Sequence, residues 1–381
     1  MAVPFIDLKR FEPDFLTRWA DKCAHLTRTT QFVGGPEVAQ LEERLKAISG
    51  AAAVVGCANG TDAIQLALRA LGVGPGDVVL IPDATFWATF EAVVNVGAKP
   101  VTVDIDLTDL QMDFTKFQEA VSTYKPKAAI LVHLYGWGTA KLAEYRAFCH
   151  EHNILLIEDG AQAHGVTFHG ESIYKGALIA TVSFYPAKVL GSCGDAGAVY
   201  CSSVELADTV RKLGNHGRTS HYGHGYVGWN SRLGGFDAGF LNMCLDYIDS
   251  RLASRKEIAA KYRARFAALG VCFVAPPAGY DENGYLNVAL FEPETRPKVE
   301  AILKEHGIGF GNVYPGAMSK QPAAAAYLHG KVGGEKADLL SRGVLNLPLF
   351  AYMTEAEFEE VFTAFEKALK VSGAIGALAN A

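Results

Sequence analysis

Lys188 follows the apolar run "LIATVSFYP", and no other charged residue occurs between Ser183 and Gly194. A lone lysine in such a place is either a surface cation on a loop or an amine held in a dry pocket for covalent chemistry. The second role requires the amine to spend time neutral. Burial and a neighbouring cation pull an ammonium below its usual pKa of about 10.4, whereas a nearby carboxylate would hold it charged. Asp159 ends a second apolar run, "ILLIED", and Gln162 and His164 follow it. A carboxylate in that position is costly unless something cationic meets it. A helix cap or a structural ion pair would also account for it. On a regular strand Glu158 must face away from Asp159. His164 is either a ligand contact or a packed histidine.

Two more stretches carry chemistry. Asn59-Gly60-Thr61-Asp62 follows "AAAVVGCA". Gly60 lets backbone come close to a ligand and Thr61 adds a hydroxyl. A helix beginning there favours an anion such as phosphate. An ordinary N-cap is the competing reading. Thr85-Phe86-Trp87 follows "GDVVLIP"; Phe86 offers a flat ring for stacking, or simply packs in the core.

These residues need a scaffold that gathers strand ends. Strand and helix patterns alternate through the first two thirds of the chain. "AAAVVGCA", "GDVVLIP", "KPVTVDID", "KAAILVHLYG", "ILLIEDG" and "LIATVSFYP" are near-continuous apolar runs. Helical segments lie between most of them; in "NGTDAIQLALRALG", Ile64, Leu68 and Leu71 recur at helical spacing before Gly72. Unalternating strands linked by helices predict a mostly parallel sheet covered on both faces. "GDAGAVYCS" predicts one further strand, antiparallel because its turn is too short for a crossover. "CLDYIDSRLASRKEIAAKYRARFAALG" predicts a long amphipathic helix bridging two domains, and the segments beyond it a small α/β domain. The Ala- and Gly-rich tail "KALKVSGAIGALANA" is expected to fray.

In such a sheet, ligands bind at the carboxyl ends of the strands. Those ends then supply an anion site at Gly60 and Thr61, an aromatic face at Phe86, a buried acid at Asp159, a hydroxyl at Ser183 and an amine at Lys188. One ligand suits all five: flat, phosphorylated, with a basic ring nitrogen and an aldehyde. That is pyridoxal 5′-phosphate (PLP).

The order and spacing of these motifs resemble the DegT/DnrJ family of nucleotide-sugar aminotransferases, with the aspartate-aminotransferase (type I) fold. The resemblance rests on "GCANGTDA", "DATFWAT", "VDID", "LVHLYG", "IEDGAQAHG", "SFYPAKVLGSCGDAGAV", "NHGR" and "GWNSRL", and runs from "FIDLKR" to "NLPLF". It implies a large PLP-binding domain over residues 1–245, with a mostly parallel seven-stranded sheet between helices. Residues 246–381 would form the bridging helix and the smaller C-terminal α/β domain. Lys188 would form the internal Schiff base and shuttle the proton. Asp159 would pair with the pyridine nitrogen, Gln162 with the phenolic oxygen, and Phe86 would stack on the ring. Gly60, Thr61 and Ser183 would hold the phosphate, joined by Asn230 from a second subunit of a homodimer with shared active sites.

The resemblance also bears on the reaction. Some relatives carry histidine at the lysine position and act as dehydratases; Lys188 favours transamination. "PAKVLGSCGDAGAV" resembles relatives that aminate carbon 3 of a keto sugar. The expected substrate is therefore a dTDP-3-keto-6-deoxyhexose or a UDP-linked 3-keto sugar, with L-glutamate as donor, in deoxyamino-sugar biosynthesis. The alternatives are a 4-keto sugar nucleotide or a non-catalytic PLP- or sugar-binding regulator. Candidate sugar contacts are Tyr222, His224, Tyr314 and His164. Gly234, Gly235 and Gly239 in "RLGGFDAGFL" are expected to loosen a helix start.

Composition sets outer limits. Lys and Arg total 35 against 41 Asp and Glu, for a net charge of −6, which argues against nucleic acid or an anionic membrane as partner. The start has no secretory pattern and no run of about 18 apolar residues occurs, so a cytoplasmic protein is expected. Seven scattered cysteines without a CxxC pair point to reduced thiols, with Cys193 a packing residue. His216, His221 and His224 lie close together without accompanying carboxylates, so no metal site is expected.

Overall fold

The computed structural model describes residues 2–373. Its central sheet has eight strands: β1 (Ala53–Cys57), β2 (Val78–Pro82), β3 (Lys99–Val103), β4 (Ala128–Val132), β5 (Leu155–Asp159), β6 (Ile179–Ser183), β7 (Gly197–Cys201) and β8 (Gly330–Val332). Their order across the sheet is β1-β7-β6-β5-β4-β2-β3-β8. β7 runs antiparallel to both of its neighbours, and every other pairing is parallel. The seven expected strands are all present, with the antiparallel one at "GDAGAVYCS". The eighth, β8, extends the sheet at its β3 edge and comes from beyond residue 245.

Alternation along each strand sends neighbouring side chains to opposite faces. Val54, Leu80, Leu131 and Leu156 enter one core. Val55, Val79, Ile130 and Ile157 enter the other. Both faces are covered, so apolar runs rather than alternating ones are what this sheet requires. Burying each such side chain is worth about 1.5–3 kcal/mol.

The helices that position the site follow from local sequence. Helix α1 (Gly60–Ala70) starts where Asn59 turns extended and its side chain accepts the Asp62 N–H at 2.8 Å. It buries Ile64, Leu66 and Leu68 against the sheet. Helix α2 (Trp87–Asn95) begins directly after Phe86. Helix α3 (Leu142–Glu151) precedes β5. Helix α4 (Gly235–Leu245) is regular and largely buried, so its glycines do not loosen it. A Cβ on Gly235 would sit 2.0 Å from the Gln31 carbonyl oxygen, and the Gly235 N–H donates to Phe32 O at 2.9 Å. That glycine admits the 31–33 segment close against the helix.

Helix α5 (Ile248–Leu269) is the long helix expected from the sequence. Its first residue, Ile248, joins a core of the large sheet. Ile258, Tyr262 and Phe266 join a third core with Leu303, Leu345, Phe358 and Phe365. Val3, at the other end of the chain, belongs to that third core too. With β8 in the large sheet, the two parts are interleaved rather than strung in order. The last described helix runs Glu355–Ser372 and ends at Gly373; most of the tail expected to fray lies outside the described residues. No helix among the described residues is long and apolar enough to cross a membrane.

Candidate active site

The carboxyl ends of β1, β2, β5 and β6 converge on a cavity of about 320 Å³. Antiparallel β7 also reaches it, because its first residue, Gly197, pairs with both Cys57 and Ser183, the last residues of β1 and β6. A Cβ on Gly197 would lie 2.5 Å from the Asn59 carbonyl. Glycine there lets the start of α1 seat directly over the sheet edge. Gly60 is the matching half: a Cβ on it would lie 2.6 Å from the Ser183 Cβ. The free N–H groups of the first turn of α1 and the Ser183 hydroxyl therefore form a close-fitting cradle with the partial positive charge of a helix start.

Asp159 closes the floor. It is 6% exposed, and Oδ1 accepts the Ala161 N–H at 3.0 Å. Burial raises its carboxyl pKa. The Ala161 hydrogen bond, the charges of Lys188 and His133, and the Thr89 hydroxyl oppose that rise without cancelling it. Among the described residues it makes no ion pair, so this buried acid wants a cation. Lys188 stands in the turn after β6, five residues beyond Ser183, with Nζ 5.4 Å from the Tyr285 ring centroid. Phe86 is half exposed and leans on Tyr314, centroids 5.4 Å apart. Gln162 is buried: Oε1 accepts the Tyr135 N–H at 2.7 Å, and Nε2 donates to the Tyr314 hydroxyl at 2.7 Å. The second N–H of that amide has no acceptor among the described residues.

This arrangement can be compared with known proteins. Residues 17–366 match the model of the DegT/DnrJ/EryC1/StrS aminotransferase family. The chain belongs to that family. It is 35% identical over 367 residues to a UDP-2-acetamido-2-deoxy-3-oxo-D-glucuronate aminotransferase of Pseudomonas aeruginosa, covering 95% of this chain and 99% of the relative. It is 35% identical over 368 residues to a pleiotropic regulatory protein of Geobacillus stearothermophilus, covering 95% and 97%. Among solved structures, DesV of S. venezuelae in complex with a ketimine intermediate superposes with a TM-score of 0.91 at 33% identity, covering 96% of this chain and 98% of that one.

Within this aminotransferase, eight residues singled out from sequence line one cavity: Gly60, Thr61, Phe86, Asp159, Gln162, Ser183, Lys188 and Tyr314. Four others do not. His164 is buried outside the cavity wall, and burial pushes its pKa down to about 4, so it packs as a neutral ring. Tyr222 is 88% exposed. His224 is exposed and its Nδ1 lies 2.8 Å from the His216 carbonyl. Asn230 is exposed, with Oδ1 accepting from Arg232 at 2.5 Å. These last three share one surface segment.

Sequence reasoning missed several wall residues. Tyr285 comes from the C-terminal part, about a hundred residues from Lys188, and nothing local marks it. Asp195 also lines the cavity. Thr89, buried behind the wall, was also missed; its hydroxyl lies 3.1 Å from that of Thr85, which lines the cavity. Their i,i+4 spacing beside Phe86 was the available signal. Behind the floor, Glu158 does face away from Asp159. It accepts from Arg146 Nε and Nη2, both at 2.8 Å, and lies 3.1 Å from His133 Nε2. Despite full burial its pKa is lowered by these partners. The His133 backbone N–H donates to Asp159 O at 2.9 Å, which ties the residue that meets Glu158 to the strand end that carries the acid.

Proposed function

We propose that this aminotransferase uses PLP to move an amino group from L-glutamate to carbon 3 of a nucleotide-linked keto sugar. The observation that carries the cofactor assignment is Asp159, a buried acid without an ion pair, in one cavity with Lys188 and the Gly60–Ser183 cradle. The fit is chemical as well as steric. The first turn of α1 and the Ser183 hydroxyl would hold the phosphate. Asp159 would face the protonated ring nitrogen, and each pKa unit that such a cation moves is about 1.4 kcal/mol of interaction. Phe86 would cover a ring face, and the free Gln162 N–H would meet the phenolic oxygen.

When bound, PLP supplies an aldehyde that accepts the amino group and a ring that holds the electron pair released at the substrate's carbon. The chain's own residues do the rest. Lys188 would hold the cofactor's aldehyde at rest, and its amine, when free, would carry a proton to and from the reacting carbon. Asp159 would keep the ring nitrogen protonated. Phe86, Tyr285 and Tyr314, which line the cavity, would border the ring and the amine.

Carbon 3 is supported by "GDAGAV" and by the 3-oxo sugar in the name of the Pseudomonas relative. A shared-site homodimer, with Asn230 of a second copy reaching the phosphate, is the accompanying proposal; in its own chain Asn230 lies away from the cavity. The Geobacillus relative's name motivates a second reading, regulation without turnover. The full set of Lys188, Asp159, Gln162 and Ser183 supports catalysis instead.

The test is a panel of 3-keto and 4-keto sugar nucleotides incubated with L-glutamate, following 2-oxoglutarate. Release with 3-keto sugars is expected. Release with 4-keto sugars alone would refute the carbon assignment, and ligand binding with no release would favour the regulator. Borohydride should fix the cofactor to Lys188 and abolish activity. A Lys188→Ala protein that still transaminates at the wild-type rate would sink the mechanism.

A further inference from the structure

Lys188 also borders a second space. A cleft of about 370 Å³ opens between the N-terminal segment, the turn after β6, and helices α4 and α5, and Lys188 and Arg255 both line it. Arg255 sits on α5 and is 7% exposed. Its hydrogen bond runs from Nη1 to Gly284 O at 3.4 Å, at the long end of the useful range. The next residue, Tyr285, is the ring beneath Lys188 Nζ.

A buried guanidinium has five N–H donors and needs an acid or several acceptors. Arg255 has no carboxylate partner among the described residues. The neighbouring charges are already matched. Arg251 pairs with Glu12 at 2.7 Å. Asp7, the one acid in the cleft wall, pairs with Arg10 at 2.7 Å, and Arg10 also bonds Glu357. Burial, with Arg251 adding to it, pushes the Arg255 pKa down to about 10. The protein therefore carries a buried, under-satisfied cation in the wall of a cleft that Lys188 also lines. A planar guanidinium fits a carboxylate through two parallel hydrogen bonds, which lysine cannot reproduce.

We propose that Arg255 is a substrate-carboxylate site, receiving the carboxyl group of the amino donor as the donor approaches Lys188. This rests on the aminotransferase reading. A uronic acid carboxylate on the sugar has the same chemistry, and the two sources are separable because transamination runs in two halves. The donor half consumes glutamate; the acceptor half consumes keto sugar.

The experiment uses cofactor-loaded protein, wild type, Arg255→Lys and Arg255→Met, and follows each half separately in single turnover. Losing a charge-assisted bidentate contact should weaken glutamate about 10- to 100-fold in Arg255→Met, with partial recovery in Arg255→Lys, while a keto sugar nucleotide without a carboxylate reacts as in wild type. Loss confined to a uronate sugar would keep the carboxylate site and reassign its source. Unchanged glutamate and uronate halves in both variants would overturn the proposal. Calorimetric binding of glutarate, an unreactive dicarboxylate, is the second readout. It should weaken in the same order, and it remains informative if no keto sugar is ever aminated. Should Arg255→Met fail to fold, Arg255→Lys decides: glutarate affinity equal to wild type refutes the site.

Discussion

Gly60→Ala puts the cradle to a quantitative test. The added Cβ would lie 2.6 Å from Ser183 Cβ, 3.1 Å from its Oγ and 3.3 Å from its Cα. Ordinary contact begins near 3.4 Å, so something must move by at least about 0.8 Å. The neighbour is the last residue of β6, held by its ladder to β7, and cannot swing aside as a flexible side chain would. Two effects oppose each other. Alanine gains up to about 1 kcal/mol over glycine in a helix, and less at its first position. Overpacking costs about 1–3 kcal/mol. Overpacking wins, with a net loss of about 1 kcal/mol, or roughly 1–2 °C in Tm for a chain of this size. The larger consequence is for phosphate. Displacing the first turn of α1 from Ser183 misaligns charge-assisted hydrogen bonds worth about 1.5–3 kcal/mol each, so PLP affinity should fall about 10- to 100-fold. The assay is titration of cofactor-free protein with PLP, followed by tryptophan fluorescence, beside a thermal melt. Gly74→Ala is the control, because its added Cβ meets nothing nearer than 3.9 Å and lies away from the cavity. PLP affinity within twofold of wild type in Gly60→Ala, with an unchanged melt, would refute the cradle.

Two further perturbations probe the groups behind the site. His164 resists protonation until about pH 4 in the folded protein, against about 6.5 when unfolded. The unfolded state therefore takes the proton first as pH falls. Stability is complete above about pH 6.5 and is lost toward pH 4, by up to about 3 kcal/mol. A His164→Gln protein should show a flatter Tm profile between pH 7 and 4.5; a profile as steep as wild type would contradict this. In Glu158→Gln, Arg146 and His133 lose their shared carboxylate. Breaking a buried pair costs about 3–5 kcal/mol. Arg146 is 25% exposed and keeps its bonds to Ile173 O and Lys175 O, so about 2–3 kcal/mol is expected in urea unfolding. A loss below about 0.5 kcal/mol would show that the network does not brace β5.

What the sequence disclosed follows from what is local. Seven strands were legible because burial on both faces writes them as apolar runs of five or more residues. Asp159 and Ser183 were legible because each ends such a run, and Lys188 because it is the lone charge that follows one. β8 was not: Gly330-Lys331-Val332 is three residues, one glycine and one exposed lysine, and only its place beside β3 makes it a strand. Tyr285 and Arg255 were not legible either, since each reaches Lys188's surroundings through the packing of a distant segment. The Gly234-Gly235 pair misled in a different way. Glycine in a helix start looks like looseness in one dimension, and is close contact with residues 31–33 in three.

β8 makes the two parts of this chain inseparable as folding units. Cutting the chain at residue 245 would do more than remove a C-terminal lobe. It would bare the Val101–Val103 edge of the large sheet, an apolar strand with unpaired N–H and C=O groups, and take Ile248 from its core. The N-terminal piece made alone is thus expected to pair edge to edge and precipitate. Excising a "PLP domain" for study would have to carry residues 330–332 along, or cover β3 by other means.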